Sequence, residues 1–233
     1  MSTYWVINLV LLLPLLALSF QKKINFVSKW KFAVPAIAIV YLFIIVWEHF
    51  FIEWGVWSFN TDYISGGFFF GIPLEEHVFI WALSFASLFV YESMALVFQR
   101  DYLGRYSIAI SIVICLLLSW LYYEYYTKLY MGIASGCATF LLVQHIFVFR
   151  SHWRYMGHFF VAYLLMLLPI TIIYWILTSL PVIIYNTTEE IGWHIGSVPI
   201  ENFLYYLFQF LFVITIYELL KKKFIKGYSL FGE

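Results

Sequence analysis

Long apolar runs recur along the whole chain and are separated by short polar connections. A hydrocarbon core about 30 Å thick needs roughly 20 consecutive apolar residues to be spanned by a helix. The first run is not typical of a signal peptide, because no Lys or Arg precedes it and Gln21-Lys22-Lys23 follows it without a small-residue cleavage site. The pattern therefore predicts an all-α integral membrane protein with seven transmembrane helices, at about 4–20, 31–51, 73–97, 106–123, 129–149, 157–180 and 199–220.

Part of this pattern repeats after 126 positions. The matched pairs are Asn60-Thr61 with Asn186-Thr187, Gly66 with Gly192, Pro73 with Pro199, Glu75 with Glu201, and Tyr91-Glu92 with Tyr217-Glu218. With this offset, the first three predicted helices correspond in sequence to the last three, and the fourth is left over as a connector. We therefore predict two parallel three-helix repeats, 1–105 and 129–233, joined by a connector helix within 106–128, with a site where the halves meet.

The cations divide unequally between the two sides of this seven-span topology. Only Lys128 falls on one side, and the other twelve of the 13 Lys and Arg residues fall on the opposite side. Such an excess marks the cytoplasmic face, which predicts a protein of the cell (inner) membrane with its N-terminus outside and its C-terminus in the cytoplasm. The twelve are Lys22, Lys23, Lys29, Lys31, Arg100, Arg105, Arg150, Arg154, Lys221, Lys222, Lys223 and Lys226.

Composition agrees with a membrane protein, since 64% of the residues are hydrophobic and 11% are charged. The net charge of zero gives no basis for a nucleic-acid partner. Cys115 and Cys137 lie inside apolar runs and are interpreted as small buried side chains without a disulfide or metal role. The chain lacks a glycine-rich dinucleotide motif, and residues 199–220 contain no lysine that could bind retinal. We therefore expect no cofactor.

Carboxyl groups in or at the rim of a membrane are costly and mark functional sites. Glu75 and Glu201 are retained in both repeats, whereas Glu76 is replaced by Asn202, so Glu75 is the stronger candidate of the adjacent pair. The competing interpretation is that Pro-x-Glu only caps a helix, because proline and a carboxylate both suit the first turn. Glu92 and Glu218 are interpreted as ion pairs with nearby cations. The six candidates are Glu48, Glu75, Glu76, Glu92, Glu201 and Glu218.

Aromatic side chains crowd the two polar loops that precede the Pro-x-Glu motifs. Most are typical of an interfacial belt, but aromatic faces beside a carboxyl group would also stabilise a carbocation while the carboxyl group moves a proton. A metal site built from His49, His77 and His194 is conceivable, but no metal-ligand spacing supports it. The aromatic residues in question are Trp57, Phe59, Tyr63, Phe68, Phe69, Phe70, Tyr185, Trp193, Tyr205 and Tyr206.

These motifs resemble those of the small, membrane-bound lycopene cyclases, in which two related three-helix subunits occur separately or fused. The resemblance covers nearly the whole chain, and the fused form with an added central helix is the most similar. Asn202 and Tyr205 depart from the family motif, which has an acidic residue and Phe there. The segments that carry the resemblance are Gly55-Val56-Trp57-Ser58-Phe59-Asn60, Gly71-Ile72-Pro73-Leu74-Glu75-Glu76-His77-Val78-Phe79, Leu177-Thr178 through Tyr185-Asn186, and Gly196-Ser197-Val198-Pro199-Ile200-Glu201-Asn202-Phe203.

The resemblance implies a redox-neutral ring closure that forms β-ionone rings on lycopene or gamma-carotene, in contact with membrane lipid and with other carotenoid enzymes as candidate partners. It implies Glu75, Glu201 and Glu76 as the catalytic candidates. The supporting or substrate-binding candidates are Glu48, Asn60, Asn202, Trp57, Phe79, His77 and Tyr205.

Three alternatives stay open at this point. A hydratase acting on carotenoid ends would add water to the same cation that a cyclase forms. A transporter or carotenoid-binding protein would also suit parallel repeats with rim carboxylates. A purely structural role for Pro-x-Glu would leave activity intact when the glutamate is replaced.

Overall fold

The computed structural model describes residues 2–98, 101, 103–149 and 155–224. Arg100, Arg150, Arg154 and Lys226, which the topology prediction used, lie outside the described residues. The described chain forms seven α-helices, which confirms the predicted number. They are α1 (Thr3–Ser19), α2 (Trp30–Glu53), α3 (Leu74–Val97), α4 (Ser107–Tyr125), α5 (Leu129–Phe147), α6 (Met156–Ser179) and α7 (Glu201–Phe224).

Six of the described helices are long and apolar enough to cross a membrane, and α1 is the exception. α1 has 17 residues, which at about 1.5 Å per residue gives roughly 26 Å. It is apolar throughout and packs against α3. The chain is therefore a membrane protein, and we retain a crossing by α1 as a prediction.

The last helix is longer than predicted. α7 continues to Phe224 and contains Lys221, Lys222 and Lys223, since leucine and lysine are good helix formers and cations are favourable near a helix C-terminus. The argument that the last helix contains no lysine is therefore wrong. Lys221 is buried, but it contacts the carboxyl groups of Glu92 and Glu218.

The helices pack in matching pairs. α1 packs on α3 in the first half as α5 packs on α7 in the second, and α2 packs on α7 as α6 packs on α3. The second helix of each repeat thus contacts the third helix of the other repeat. The connector α4 packs mainly on α5, and it has no counterpart in the first half.

Six short strands lie in the two polar loops, which the all-α prediction did not include. Runs of two or three residues are too short to give a recognisable alternation of polar and apolar positions. β1 pairs with β4, β2 with β3 and β5 with β6, all antiparallel. The strands are β1 (Trp57–Phe59), β2 (Phe68–Phe69), β3 (Ile72–Pro73), β4 (Ile183–Tyr185), β5 (His194–Ile195) and β6 (Val198–Pro199).

The β1–β4 ribbon joins the two repeats symmetrically. Its central pair is Ser58 and Ile184, which are equivalent positions 126 residues apart. The backbone hydrogen bonds beside the ribbon follow the same symmetry. The Asn60 amide donates to the Val182 carbonyl at 3.0 Å, and the equivalent Asn186 amide donates to the Val56 carbonyl at 2.9 Å. A local twofold axis therefore passes through the ribbon and relates the loops of the two halves.

Candidate active site

Glu75 and Glu201 hold equivalent loops in place. Oε1 of Glu75 accepts a hydrogen bond from the Ser65 amide at 2.6 Å, and Oε1 of Glu201 accepts one from the Ile191 amide at 2.7 Å. Ser2 also donates to Oε1 of Glu75, at 2.8 Å. Both glutamates lie in or beside the first turn of a helix, where a carboxylate is stabilised by the helix dipole. Each glutamate therefore fixes the position of the loop that leads into its own helix.

The repeated asparagines and glycines also shape these loops. The Asn60 side chain accepts from the Asp62 amide, and the Asn186 side chain accepts from the Thr188 amide, both at 3.0 Å. Gly66 and Gly192 have φ of +81° and +80°, a backbone conformation that glycine adopts without strain. Much of the retained part of the repeat therefore builds the two loops.

A small cavity lies beside the β1–β4 ribbon, between the two repeats. Its free volume is ≈ 20 Å³, which is about enough for one water molecule. Two carboxyl groups line it, Glu48 from α2 and Glu76 from α3, and both residues are 5% exposed. Neither Glu75 nor Glu201 is among the lining residues. The lining residues are Glu48, Trp57, Phe59, Glu76, Tyr130, Tyr174, Ile183, Tyr185 and Tyr205.

Each of the two carboxyl groups in the cavity accepts a hydrogen bond from a tyrosine hydroxyl group. Tyr4 of α1 donates to Oε2 of Glu76, and Tyr205 of α7 donates to Oε1 of Glu48 at 3.2 Å. Adjacent residues on a helix point about 100° apart, which explains why Glu76 faces the cavity while Glu75 faces the loop. The lining contains two carboxyl groups and no Lys or Arg side chain.

In and around the cavity, most equivalent positions of the two repeats are occupied by different residue types. Tyr130 donates to Oδ1 of Asn202 at 2.6 Å, as Tyr4 donates to Glu76 in the first repeat. The carboxyl groups facing the cavity thus both come from the first repeat. The equivalent pairs are Tyr4 with Tyr130, Glu48 with Tyr174, Trp57 with Ile183, Phe59 with Tyr185, Glu76 with Asn202 and Phe79 with Tyr205.

Aromatic rings form most of the remaining cavity wall. The Trp57 ring meets those of Tyr130, Tyr185 and Tyr205 edge to face, with centroids 5.2, 6.0 and 6.2 Å apart. Tyr130 stacks on Tyr185 at 5.7 Å. Desolvation raises the pKa of the Tyr185 phenol, so its hydroxyl stays neutral and accepts a 2.8 Å hydrogen bond from Nδ2 of Asn202. Such a wall can stabilise a cation without reacting with it.

The remaining predicted residues lie around the cavity. Phe79 packs behind it, against the rings of Tyr4 and Tyr174 at 5.6 and 6.0 Å. His77 joins three elements, because Nδ1 shares a 2.8 Å hydrogen bond with the Tyr41 hydroxyl and Nε2 lies 2.9 Å from the Phe69 carbonyl. Neither residue lines the cavity; Phe79 packs on Tyr174 of its wall, whereas the contacts of His77 are with Tyr41 and Phe69.

Sequence reasoning missed Tyr4, Tyr130 and Tyr174. All three lie inside predicted apolar helices, where a tyrosine does not by itself indicate a functional site. The offset of 126 residues that matched Glu75 with Glu201 also matches Tyr4 with Tyr130. Extending the repeat into the helices would have found this pair.

A second polar cluster lies near the other end of α3 and α7. Tyr91 donates to Glu218 at 3.0 Å and Tyr217 donates to Glu92 at 2.6 Å, so the repeated Tyr-Glu pairs bond across the repeats. Lys221 donates to both carboxyl groups, at 2.8 Å to Glu92 and 3.1 Å to Glu218. The interpretation of these glutamates as ion pairs agrees with these contacts, although the cluster is buried and not at an exposed rim.

The histidines considered for a metal site have other partners. Nε2 of His194 lies 3.2 Å from Glu190, and His49 contacts the Phe70 carbonyl at 3.1 Å. Within the described part of the chain, no three His, Cys, Asp or Glu side chains are placed to share one ion.

Comparison with known families agrees with the geometry. The sequence model of the lycopene cyclase family matches residues 1–94 and again residues 125–220. The two matches end 126 positions apart, which is the offset of the repeat. No curated protein and no solved structure matches the chain.

Proposed function

The chain belongs to the lycopene cyclase family, and we propose that it closes β-ionone rings at the ends of a linear C40 carotenoid. The observation that carries this proposal is the cavity between the repeats, which has two buried carboxyl groups, Glu48 and Glu76, beside an aromatic wall. The overall change is an isomerisation, which requires no oxidant or reductant. In this account Glu75 and Glu201 hold loops, and Glu76 and Glu48 handle the proton.

The reaction begins with protonation of the terminal double bond. One of the two cavity carboxyl groups carries the proton and delivers it to the less substituted carbon of this double bond, which leaves a tertiary cation on the dimethyl-bearing carbon at the end of the chain. The next trisubstituted double bond attacks this cation and closes a six-membered ring. The hydrogen bonds from Tyr4 and Tyr205 fix the orientation of the carboxyl groups before the substrate arrives.

The reaction ends when the carboxylate of the pair removes a proton from the ring cation. This step forms the ring double bond and restores one proton to the pair, so protons balance over the cycle. The rings of Trp57, Tyr130 and Tyr205 would stabilise the intermediate cation by about 0.5–2 kcal/mol for each well-placed face.

Binding of an end group requires movement of the lining side chains, because the free volume is ≈ 20 Å³. The substrate is lipophilic and reaches the cavity from the bilayer. We place the protein in the cell membrane with the loops that cover the cavity outside, and with membrane lipid and other carotenoid enzymes as its neighbours.

Expression of the chain in a host that accumulates lycopene tests the proposal. Chromatography with mass spectrometry is expected to show a product with the mass of lycopene and the absorption spectrum of a cyclised carotenoid. An uncyclised product heavier by one water would instead identify a hydratase. Unchanged lycopene in membranes that contain the inserted protein would favour carotenoid binding or transport.

A further inference from the structure

A groove with a free volume of ≈ 260 Å³ lies between α2 of the first repeat, the connector α4 and α5 of the second repeat. It is open on one side, and its wall is largely apolar and aromatic. The lining residues are Trp47, Tyr122, Tyr126, Leu129, Gly132, Ile133, Gly136 and Cys137.

The groove and the carboxyl cavity adjoin each other at the buried side chain of Phe51. The Phe51 ring contacts Trp47 of the groove at 5.7 Å. It also contacts three rings that line the cavity, Trp57 at 4.7 Å, Tyr130 at 5.9 Å and Tyr205 at 6.2 Å. Trp47 of the groove and Glu48 of the cavity are also consecutive residues, so the two spaces lie on neighbouring parts of α2.

The described residues that line the groove differ from their equivalents in the first repeat. Gly132 and Gly136 correspond to Val6 and Val10, and no helix corresponds to α4. The absence of side chains at the two glycines leaves space in the groove, since a Cβ on Gly136 would lie 3.4 Å from the Tyr122 ring. The path to the cavity is thus asymmetric, although the cavity lies between two similar halves.

We propose that this groove binds the polyene chain of an acyclic carotenoid while its end group lies in the carboxyl cavity. The inference rests on the proposed function. A thin, rigid and conjugated hydrocarbon chain suits an aromatic groove of this size, and the contacts of Phe51 with both the groove and the carboxyl cavity favour it over a lipid acyl chain. Each end of the substrate enters separately by this path, and the rest of the molecule stays in the bilayer.

Cys137 reports directly on occupancy of the groove. The experiment uses the full chain with Cys115→Ser and Glu76→Gln, so that one thiol remains and turnover is blocked. In phosphatidylcholine vesicles, lycopene is expected to slow alkylation of Cys137 by a membrane-permeable maleimide at least about fivefold, because bound ligand excludes the reagent. Squalane, a saturated hydrocarbon, serves as the comparison; equal protection by squalane, or none by lycopene, overturns the proposal.

Substitutions in the groove give a second, independent test. Gly136→Leu is expected to lower the yield of cyclised product roughly tenfold or more, because a displaced polyene misplaces the reacting end group. The control Val10→Leu places the same side chain at the equivalent position, which is 68% exposed. Leu168→Trp adds bulk in a larger groove between α4, α6 and α7. Both controls are expected to retain wild-type yield.

The two proposals fail in different ways. If the chain binds a carotenoid in this groove but does not cyclise it, lycopene protects Cys137 while the wild type forms no product. If the chain is a cyclase that uses another path, the wild type forms product while Gly136→Leu is equally active and Cys137 is unprotected. The labelling experiment keeps Gly136, so a folding defect of Gly136→Leu does not affect it.

Discussion

Glu76 and Asn202 occupy equivalent positions in the two repeats, and each accepts a hydrogen bond from the tyrosine on the first helix of its own repeat. The scaffold around these two side chains is the same, but only one of them can carry a proton for catalysis. The duplication therefore supplies a symmetric cavity, and the substitution makes its two walls chemically different.

The hydrogen bond from Tyr205 to Glu48 predicts unequal effects of two substitutions. Glu48→Gln is expected to lower product yield about 100-fold or more, because it removes a proton-handling group. Tyr205→Phe removes only the hydrogen bond, worth about 0.5–1.5 kcal/mol, so we expect a loss of roughly threefold to tenfold. Initial rates of product formation in membranes, normalised to inserted protein, measure both; a larger loss in Tyr205→Phe than in Glu48→Gln would contradict this assignment.

The aromatic wall predicts that Trp57 contributes to catalysis through its ring face. Trp57→Leu is expected to lower the turnover rate by roughly tenfold, in line with a cation–π contribution of about 0.5–2 kcal/mol, whereas Trp57→Phe retains most activity. Trp54→Leu is the matched control, because Trp54 lies nearby but is 53% exposed. Equal turnover rates in Trp57→Leu and Trp54→Leu would contradict a role in cation stabilisation.

The buried cluster between α3 and α7 predicts a stability effect without a catalytic one. Lys221→Met leaves the buried carboxyl groups of Glu92 and Glu218 without the cation that both contact. We expect the free energy of unfolding to fall by about 3–5 kcal/mol, with activity per folded molecule unchanged. Thermal denaturation in detergent measures this effect, and the exposed Lys222→Met is the control. Similar melting temperatures for the two variants would show that the cluster does not stabilise the fold in this way.

The distribution of cations predicts the orientation in the membrane. An epitope tag at the N-terminus is expected to bind antibody on intact cells, because twelve of the 13 cations mark the opposite face as cytoplasmic. A tag at the C-terminus should bind antibody only after permeabilisation. Detection of the C-terminal tag on intact cells would reverse the topology and place the cavity near the cytoplasm.

Helix number and approximate helix ends could be predicted from the sequence because apolar runs of roughly 20 residues give a strong signal. The end of α7 was not predicted, because three consecutive lysines are typical of an exposed helix terminus. Lys221 is instead buried and contacts two carboxyl groups. The β1–β4 ribbon was missed because its strands come from loops far apart in sequence and have three residues each.

The candidate site could be predicted only in part. A location between the halves follows from the repeat, and Glu48, Glu76, Trp57 and Tyr205 were among the named residues. The ranking of Glu75 above Glu76 used retention in both repeats as a sign of catalysis. The proposed roles reverse this ranking. Glu75 and Glu201 hold equivalent loops and are retained in both repeats, while Glu76 faces the cavity and is replaced by Asn202 in the second repeat.

The most direct test compares Glu75→Gln with Glu76→Gln, two neighbouring carboxyl groups that face different surroundings. The measurement is the yield of cyclised carotenoid per inserted molecule, together with the melting temperature in detergent. We expect Glu76→Gln to lower the yield about 100-fold or more with little change in melting temperature.

For Glu75→Gln we expect a yield within about threefold of the wild type and a loss of about 1–3 kcal/mol in stability, because the Ser65 amide loses a charged acceptor. Abolished product in Glu75→Gln together with near wild-type product in Glu76→Gln would contradict the account and assign the proton-handling role to Glu75.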